Sequence, residues 1–156
     1  MSGAGAAPQP RPDRNPAKAG IADEVLARAE AIIDRLSAEY PEHASRDLEQ
    51  LERAAALMAG GGPASEPHCG EISRIAHDIR GQGAVFGYPL MSRLAGSLCL
   101  AMRALGPQDG AIMVIIRSHI AGMRALLEQG VTGTGNRPAL TIAAGLEMMV
   151  RARTGR

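Results

Sequence analysis

Rings are almost absent from this sequence: 156 residues include no tryptophan, one phenylalanine and two tyrosines. A core must then be built from Leu, Ile, Val, Met and Ala, a set dominated by good helix formers. Alternating runs of β-branched and aromatic residues, the mark of half-buried strands, are missing as well. No charge of one sign dominates, since 17 Lys and Arg against 16 Asp and Glu leave a net charge of +1. That excludes the basic field on which nucleic-acid binding depends. Cysteine is limited to Cys69 and Cys99, too few for a disulfide framework in a chain with no secretory leader. No run of 18 apolar residues offers a membrane span, and the first twenty residues lack an apolar signal segment. These absences predict an all-α protein, soluble and cytoplasmic, with neither nucleic acid nor membrane among its partners.

What is present is helical periodicity, cut by Gly and Pro. Residues 1–20 are rich in Ala, Gly, Pro and Arg and predict a disordered tail ahead of a helical domain at 21–156. Six helices are expected there. The first, 21–40, puts Val25, Leu26, Ala29, Ile32, Ile33 and Leu36 on an inward face, and Pro41 ends or kinks it. The second, 42–59, carries Leu48, Leu51, Ala55 and Met58, with a flexible connection at 59–65. A third covers 66–86 and stops at Gly87. The fourth, 88–105, has a stripe of Met91, Leu94, Ala95, Leu98 and Met102. Gly106-Pro107 separates it from a fifth at 107–129, and a loop at 130–136 leads to a sixth at 137–153. Short connections between amphipathic helices imply antiparallel neighbours. The expected architecture is an antiparallel up-down four-helix bundle, core at about 42–129, with additional flanking helices.

The third helix holds an anomaly. Residues 76–87 read AHDIRGQGAVFG, with three glycines in seven residues just after a histidine. Each glycine inside a helix costs about 0.5–1 kcal/mol relative to alanine. On a wheel, Ile72, Ile75, Ala76, Ile79, Gly83 and Phe86 share one face, and His77 falls roughly 140° from Ile72. Around His77 lie Ser73, Arg80, Gly81 and Ala84, at helical spacings of three, four and seven. Apart from Arg80 these side chains are small or missing, so Gly81 leaves room for another surface to approach. Gly83 suits close packing of a neighbouring helix, and Gly87 suits a helix end. An imidazole in water titrates near about 6.5 and is largely neutral at pH 7. Its free ring nitrogen can attack a phosphoryl group, whose spread charge the Arg80 cation can stabilise.

His77-Asp78-Ile79-Arg80-Gly81, followed by Gly83-Ala84-Val85-Phe86-Gly87, resembles the signature of histidine phosphotransfer (HPt) domains of multistep two-component phosphorelays. That signature runs His, any residue, Leu or Ile, Lys, Gly, two small residues, a few apolar ones, then Gly. Arg80 stands where the usual residue is lysine, and Gln82 where it is small. The resemblance implies a four-helix bundle with an exposed histidine, and phosphoryl shuttling between receiver-domain aspartates. It makes His77 the phosphoacceptor, Arg80 the stabilising cation, Gly81 the clearance glycine and Gly87 the terminal one. The docking surface expected for a receiver is Ser73, Gly81, Ala84 and Gly87 with Ser92, Arg93 and Gly96 on the next helix. Such a protein is a phosphocarrier rather than an enzyme. It needs no cofactor and no metal of its own, because the receiver of a response regulator or hybrid histidine kinase brings aspartate and Mg²⁺. A bundle of this length is expected as a monomer.

Two other readings fit parts of the pattern. Ser73-Arg74-Ile75-Ala76-His77-Asp78-Ile79-Arg80 is similar to the phosphoacceptor box of histidine-kinase dimerisation domains, where an acidic residue follows the histidine. Gly81-Gln82-Gly83 replaces the Thr-Pro-Leu usual there, and the 156 residues hold none of the Asn- and Gly-rich boxes of an ATP-binding domain. A helical interaction module that is never phosphorylated is the remaining reading. Elsewhere, His119 falls on the apolar stripe of the fifth helix and is expected in the core with a hydrogen-bond partner. His43 and His68 read as solvated residues. Cys99 is expected buried, and His68-Cys69 has no second pair at zinc-ligand spacing.

Overall fold

The structure, a computed structural model, describes residues 16–61 and 65–155. These form five helices and no strand: α1 (Pro16–Ala59), α2 (Ser65–Val85), α3 (Pro89–Ala104), α4 (Ile112–Glu128) and α5 (Arg137–Thr154). None of the described helices is long and apolar enough to cross a membrane. Most of the tail expected at 1–20 lies outside the described residues, but helix begins at Pro16 rather than Ile21.

Two further expected boundaries need correction. Pro41 does not divide the first segment; it sits inside one continuous helix, α1. Proline there removes one donor and crowds the preceding turn, at about 3 kcal/mol. Against this, Tyr40, Ala44, Leu48, Leu51, Ala55 and Met58 are all buried in a single helical phase. A break at Pro41 would put Tyr40 out of phase with the rest of that stripe. The second correction concerns α4, which begins at Ile112 instead of Pro107. Residues 106–111 form a turn, in which Asp109 N–H donates to the Gly106 carbonyl at 3.0 Å and Ala111 N–H donates to Asp109 Oδ1 at 2.8 Å. The aspartate side chain competes locally with helix and delays its start.

The other ends follow their punctuation. Pro89 opens α3, and Asn136 caps α5 by accepting the Ala139 N–H at 2.9 Å, with proline in the first turn. Gly87 takes φ +86°, which ends α2 in a conformation open to glycine.

The chain divides into two compact units, Met1–Asp34 and Arg35–Arg156. In the second unit α2 packs along α3, α3 also packs on α4 and α5, and α4 on α5. Leu48 and Leu51 of α1, Ile72, Ile75 and Ile79 of α2, Leu94 and Leu98 of α3, and Ile115, Ile116 and Met123 of α4 share one core. All three aromatic rings meet at one point of it. The Tyr40 centroid lies 4.7 Å from Tyr88 and 5.8 Å from Phe86. Glu52 of α1 accepts Arg124 of α4 at 2.7 Å, and Glu147 of α5 takes Arg93 of α3 through two contacts of 2.6 and 2.7 Å.

In the first unit the described residues 16–34 are all helical, and every residue from 20 to 34 is exposed. The face expected to point inward here points to solvent: Val25, Leu26, Ile32 and Ile33 are all exposed, and Ala29 with them. The periodicity is real, but the described residues leave this face exposed.

Candidate functional site

The exposed face of α2 exists because its other face is fully used. Ile72, Ile75, Ala76, Ile79 and Gly83 are buried, which fixes the rotation of the helix. Turned away from them, the His77 side chain is 77% exposed. Its Nδ1 lies 3.8 Å from Asp78 Oδ1, beyond direct hydrogen-bond range but within reach of a bridging water. Asp78 is itself held by Arg74, whose Nη1 donates to Oδ2 at 2.9 Å.

Three glycines near the histidine do three different things. A Cβ placed on Gly81 meets nothing within 4 Å, so the strip beside His77 is open. On Gly83 it would stand 2.9 Å from the Ser92 nitrogen, 3.0 Å from the Tyr88 carbonyl oxygen and 3.2 Å from the Tyr40 hydroxyl. Gly83 therefore lets the start of α3 and the Tyr40 ring press directly on α2. Gly96 of α3 lies under the stem of Arg80, and its Cβ would be 3.6 Å from Arg80 Cδ. The guanidinium that sequence spacing put beside His77 is thus laid across the neighbouring helix, while remaining exposed.

The expected docking residues divide by what already engages them. Gly81 and Ala84 are exposed and unobstructed, and Ser73 is half-buried. Ser92 Oγ donates to the Arg80 carbonyl, tying α3 to α2 at the site. Arg93 is exposed, but its guanidinium is taken bidentately by Glu147. That contact raises the affinity of Arg93 for its proton and holds the Glu147 carboxyl below the usual carboxylate range. Gly87 supplies the turn and accepts a hydrogen bond from Gly133 N–H at 2.9 Å.

Sequence reasoning missed two residues that α1 brings close to α2, Asp47 near Asp78 and Tyr40 near Gly83. Asp47, half-buried, is pushed up in pKa first by burial and then by the charge of Asp78, with His43 and Arg74 acting in the opposite direction. Near it, the Tyr40 hydroxyl is buried without a hydrogen-bond partner among the described residues, and burial and the Asp47 charge raise its pKa strongly. Such an orphan costs about 1–3 kcal/mol. The Arg74–Asp78 spacing of four was readable, whereas nothing local signals Asp47 or Glu147. Among the described residues no group of three or more His, Cys, Asp or Glu is placed to hold a metal ion.

The remaining histidine of interest is His119. It is fully buried, with Nδ1 2.8 Å from the Ile115 carbonyl oxygen and Nε2 3.0 Å from Ser97 Oγ. Both ring nitrogens are engaged, so it offers no free nucleophile. No protein-family model, curated protein or solved structure matches the chain. The site therefore stands on its own geometry.

Proposed function

We propose that this chain is a histidine phosphotransfer protein, a carrier that takes a phosphoryl group from a receiver-domain aspartate and passes it to another. The observation that carries the proposal is the pairing of a 77% exposed His77 with open space at Gly81 on a helix whose other face is locked in the core. A receiver brings a bulky, charged surface to its phosphoryl group, and only a cleared strip admits it.

In the transfer, a His77 ring nitrogen with a free lone pair attacks phosphorus in line with the aspartyl oxygen. A nitrogen–phosphorus bond forms, the phosphorus–oxygen bond to the receiver breaks, and the carboxylate leaves with its electron pair. With Nδ1 directed towards Asp78, Nε2 is the nitrogen without an intramolecular contact among the described residues. Arg80 supplies positive charge near the transferring oxygens and needs only a rotation of its outer torsions to do so. Aspartate and Mg²⁺ come from the receiver, so the carrier acts by positioning and charge. In this reading α1 from Arg35 onward, α2, α3 and α4 are the antiparallel four-helix bundle, α5 is an added helix on α3 and α4, and the setting is cytoplasmic.

The kinase-dimerisation reading draws on Asp78 beside His77. Arg74 already donates to Oδ2 of that carboxylate at 2.9 Å, so one of its two oxygens is engaged away from the imidazole. The experiment is phosphorylation by phosphoramidate at alkaline pH, with acid-labile phosphate mapped by mass spectrometry. Label is expected on His77 alone among the four histidines, discharged by a receiver domain with Mg²⁺ and lost in His77→Gln. Equal labelling of His43, His68 and His77, unaffected by any receiver, would overturn the proposal.

A further inference from the structure

Five of the exposed large apolar side chains among the described residues lie in the first unit. Ile33 is 46% exposed, Ile32 52%, Leu26 58%, Val25 61% and Ile21 64%. Single exposed apolar residues are ordinary on any surface, but five on one helical strip are not. Around a helix these five, with Ala22 and Ala29, fall within an arc of about 140°. The two alanines lie near its centre, where another helix backbone can come close.

We propose that this strip is a self-association surface, on which a second copy of the chain docks as a parallel, in-register helix pair. The charges along its edges select that occupant and that direction. Arg28 borders the strip on one side, with its partner Glu24 further out, and Arg35 repeats it one heptad later in the sequence; Glu30 and, further out, Asp23 border the other side. When two identical helices pack face to face in parallel, each edge meets the opposite edge of its partner. Arg28 of one copy then faces Asp23 and Glu30 of the other, twice over by symmetry. Antiparallel packing sets arginine against arginine and carboxylate against carboxylate. Arg28 already meets Glu24 at 2.8 Å, but that pair is exposed on both sides and readily exchanged.

Size sets the strength. Thirteen residues of helix are about 20 Å long and about 10 Å wide. That footprint is well below the roughly 800 Å² per partner of a stable complex, so the dimer dissociates on dilution. It departs from the monomer expected from the resemblance, and it does not depend on the phosphocarrier reading.

Sedimentation of the full chain over a wide concentration range tests it. The mass is expected to rise from 16.2 kDa towards twice that value. Val25→Glu with Ile32→Glu should hold the monomer at every concentration with helicity unchanged. Leu57→Glu, at an exposed leucine outside the strip, should leave dimerisation intact. For direction, Ala22→Cys in a Cys69→Ser, Cys99→Ala background should oxidise to a disulfide-linked dimer. A wild-type chain that stays monomeric overturns the proposal, and so does dimerisation that survives the double substitution. A dimer in which Ala22→Cys fails to cross-link overturns the parallel pairing and the charge argument with it.

Discussion

Residues 21–33 and residues 72–86 carry the same kind of repeat, an apolar side chain at every third or fourth position, and they end in opposite states. In α2 the repeat is buried, and what is left over is a functional face with His77 at its centre. In the first part of α1 the repeat is exposed, and the charged residues lie at its edges. Periodicity therefore states that a helix has a face in need of cover, and nothing about where the cover comes from. In α2 it comes from the same chain; for residues 21–33 we assign it to a second copy. This also sharpens the choice between a phosphocarrier and a kinase dimerisation domain. A dimer alone no longer separates them, because the proposed pairing is made by residues 21–33 and not by residues of α2.

The largest effect that separates the two regions is the cost of truncating an apolar side chain. Leu51→Ala, in the buried continuation of α1, should destabilise the fold by about 2–5 kcal/mol, the usual range for a cavity in a packed core. Ile33→Ala should change stability by less than about 0.5 kcal/mol in dilute solution, as an exposed position does. Urea unfolding followed by circular dichroism measures both. A large loss at Ile33 in the monomer would mean that the strip is covered within its own chain, and the comparison would collapse.

A smaller effect distinguishes the glycines of α2. Gly83→Ala should cost about 1–3 kcal/mol, since its Cβ would press on the backbone of Ser92 and Tyr88, which cannot swing aside. Gly81→Ala should stabilise by about 0.5–1 kcal/mol through helix propensity alone, because nothing stands within 4 Å. The functional counterpart is Gly81→Gln. It should keep labelling by phosphoramidate, a small donor, and block transfer from a receiver domain. Normal transfer from a receiver would remove the clearance role assigned to this glycine.

The parts of this fold that were legible in the sequence are those decided within a few residues. Pro89, Asn136 and Gly87 mark helix ends by local chemistry, and the ends of α2, α3 and α5 fall within one residue of the expected places. The face of α2 is legible for the same reason, because its buried and exposed residues are neighbours on one helix. Pro41 misled because the lost hydrogen bond is local while the compensating burial of Tyr40, Ala44 and Leu48 is tertiary. The ties that shape the site were out of reach as well. Ser92 meets Arg80 across 12 positions and Arg93 meets Glu147 across 54, and no spacing rule connects residues on different helices. The exposure of residues 21–33 was illegible in principle, since an amphipathic stripe looks the same with either source of cover.

The smallest predicted effect concerns the one histidine the core has absorbed. His119 sits between Ile115 and Ser97, and burial lowers its pKa, partly offset by the hydrogen bond to the Ile115 carbonyl and by the charge of Glu147. An unfolded chain exposes that imidazole, which then titrates near about 6.5. Below that pH the unfolded state binds a proton that the folded state resists, so stability falls as the pH drops from about 6.5. Glu147 responds in a separate window. Its carboxyl is held low by Arg93, so its contribution persists until the pH falls below the normal carboxylate range, near about 4.3. Urea midpoints of the wild type should therefore decline between pH 7 and pH 5, while those of His119→Gln, less stable at pH 7, should stay level across the same interval. A decline of equal slope in both proteins would place the titrating group elsewhere. A level wild type would mean that Glu147, close by, compensates the buried charge fully, and Glu147→Gln would then restore the slope.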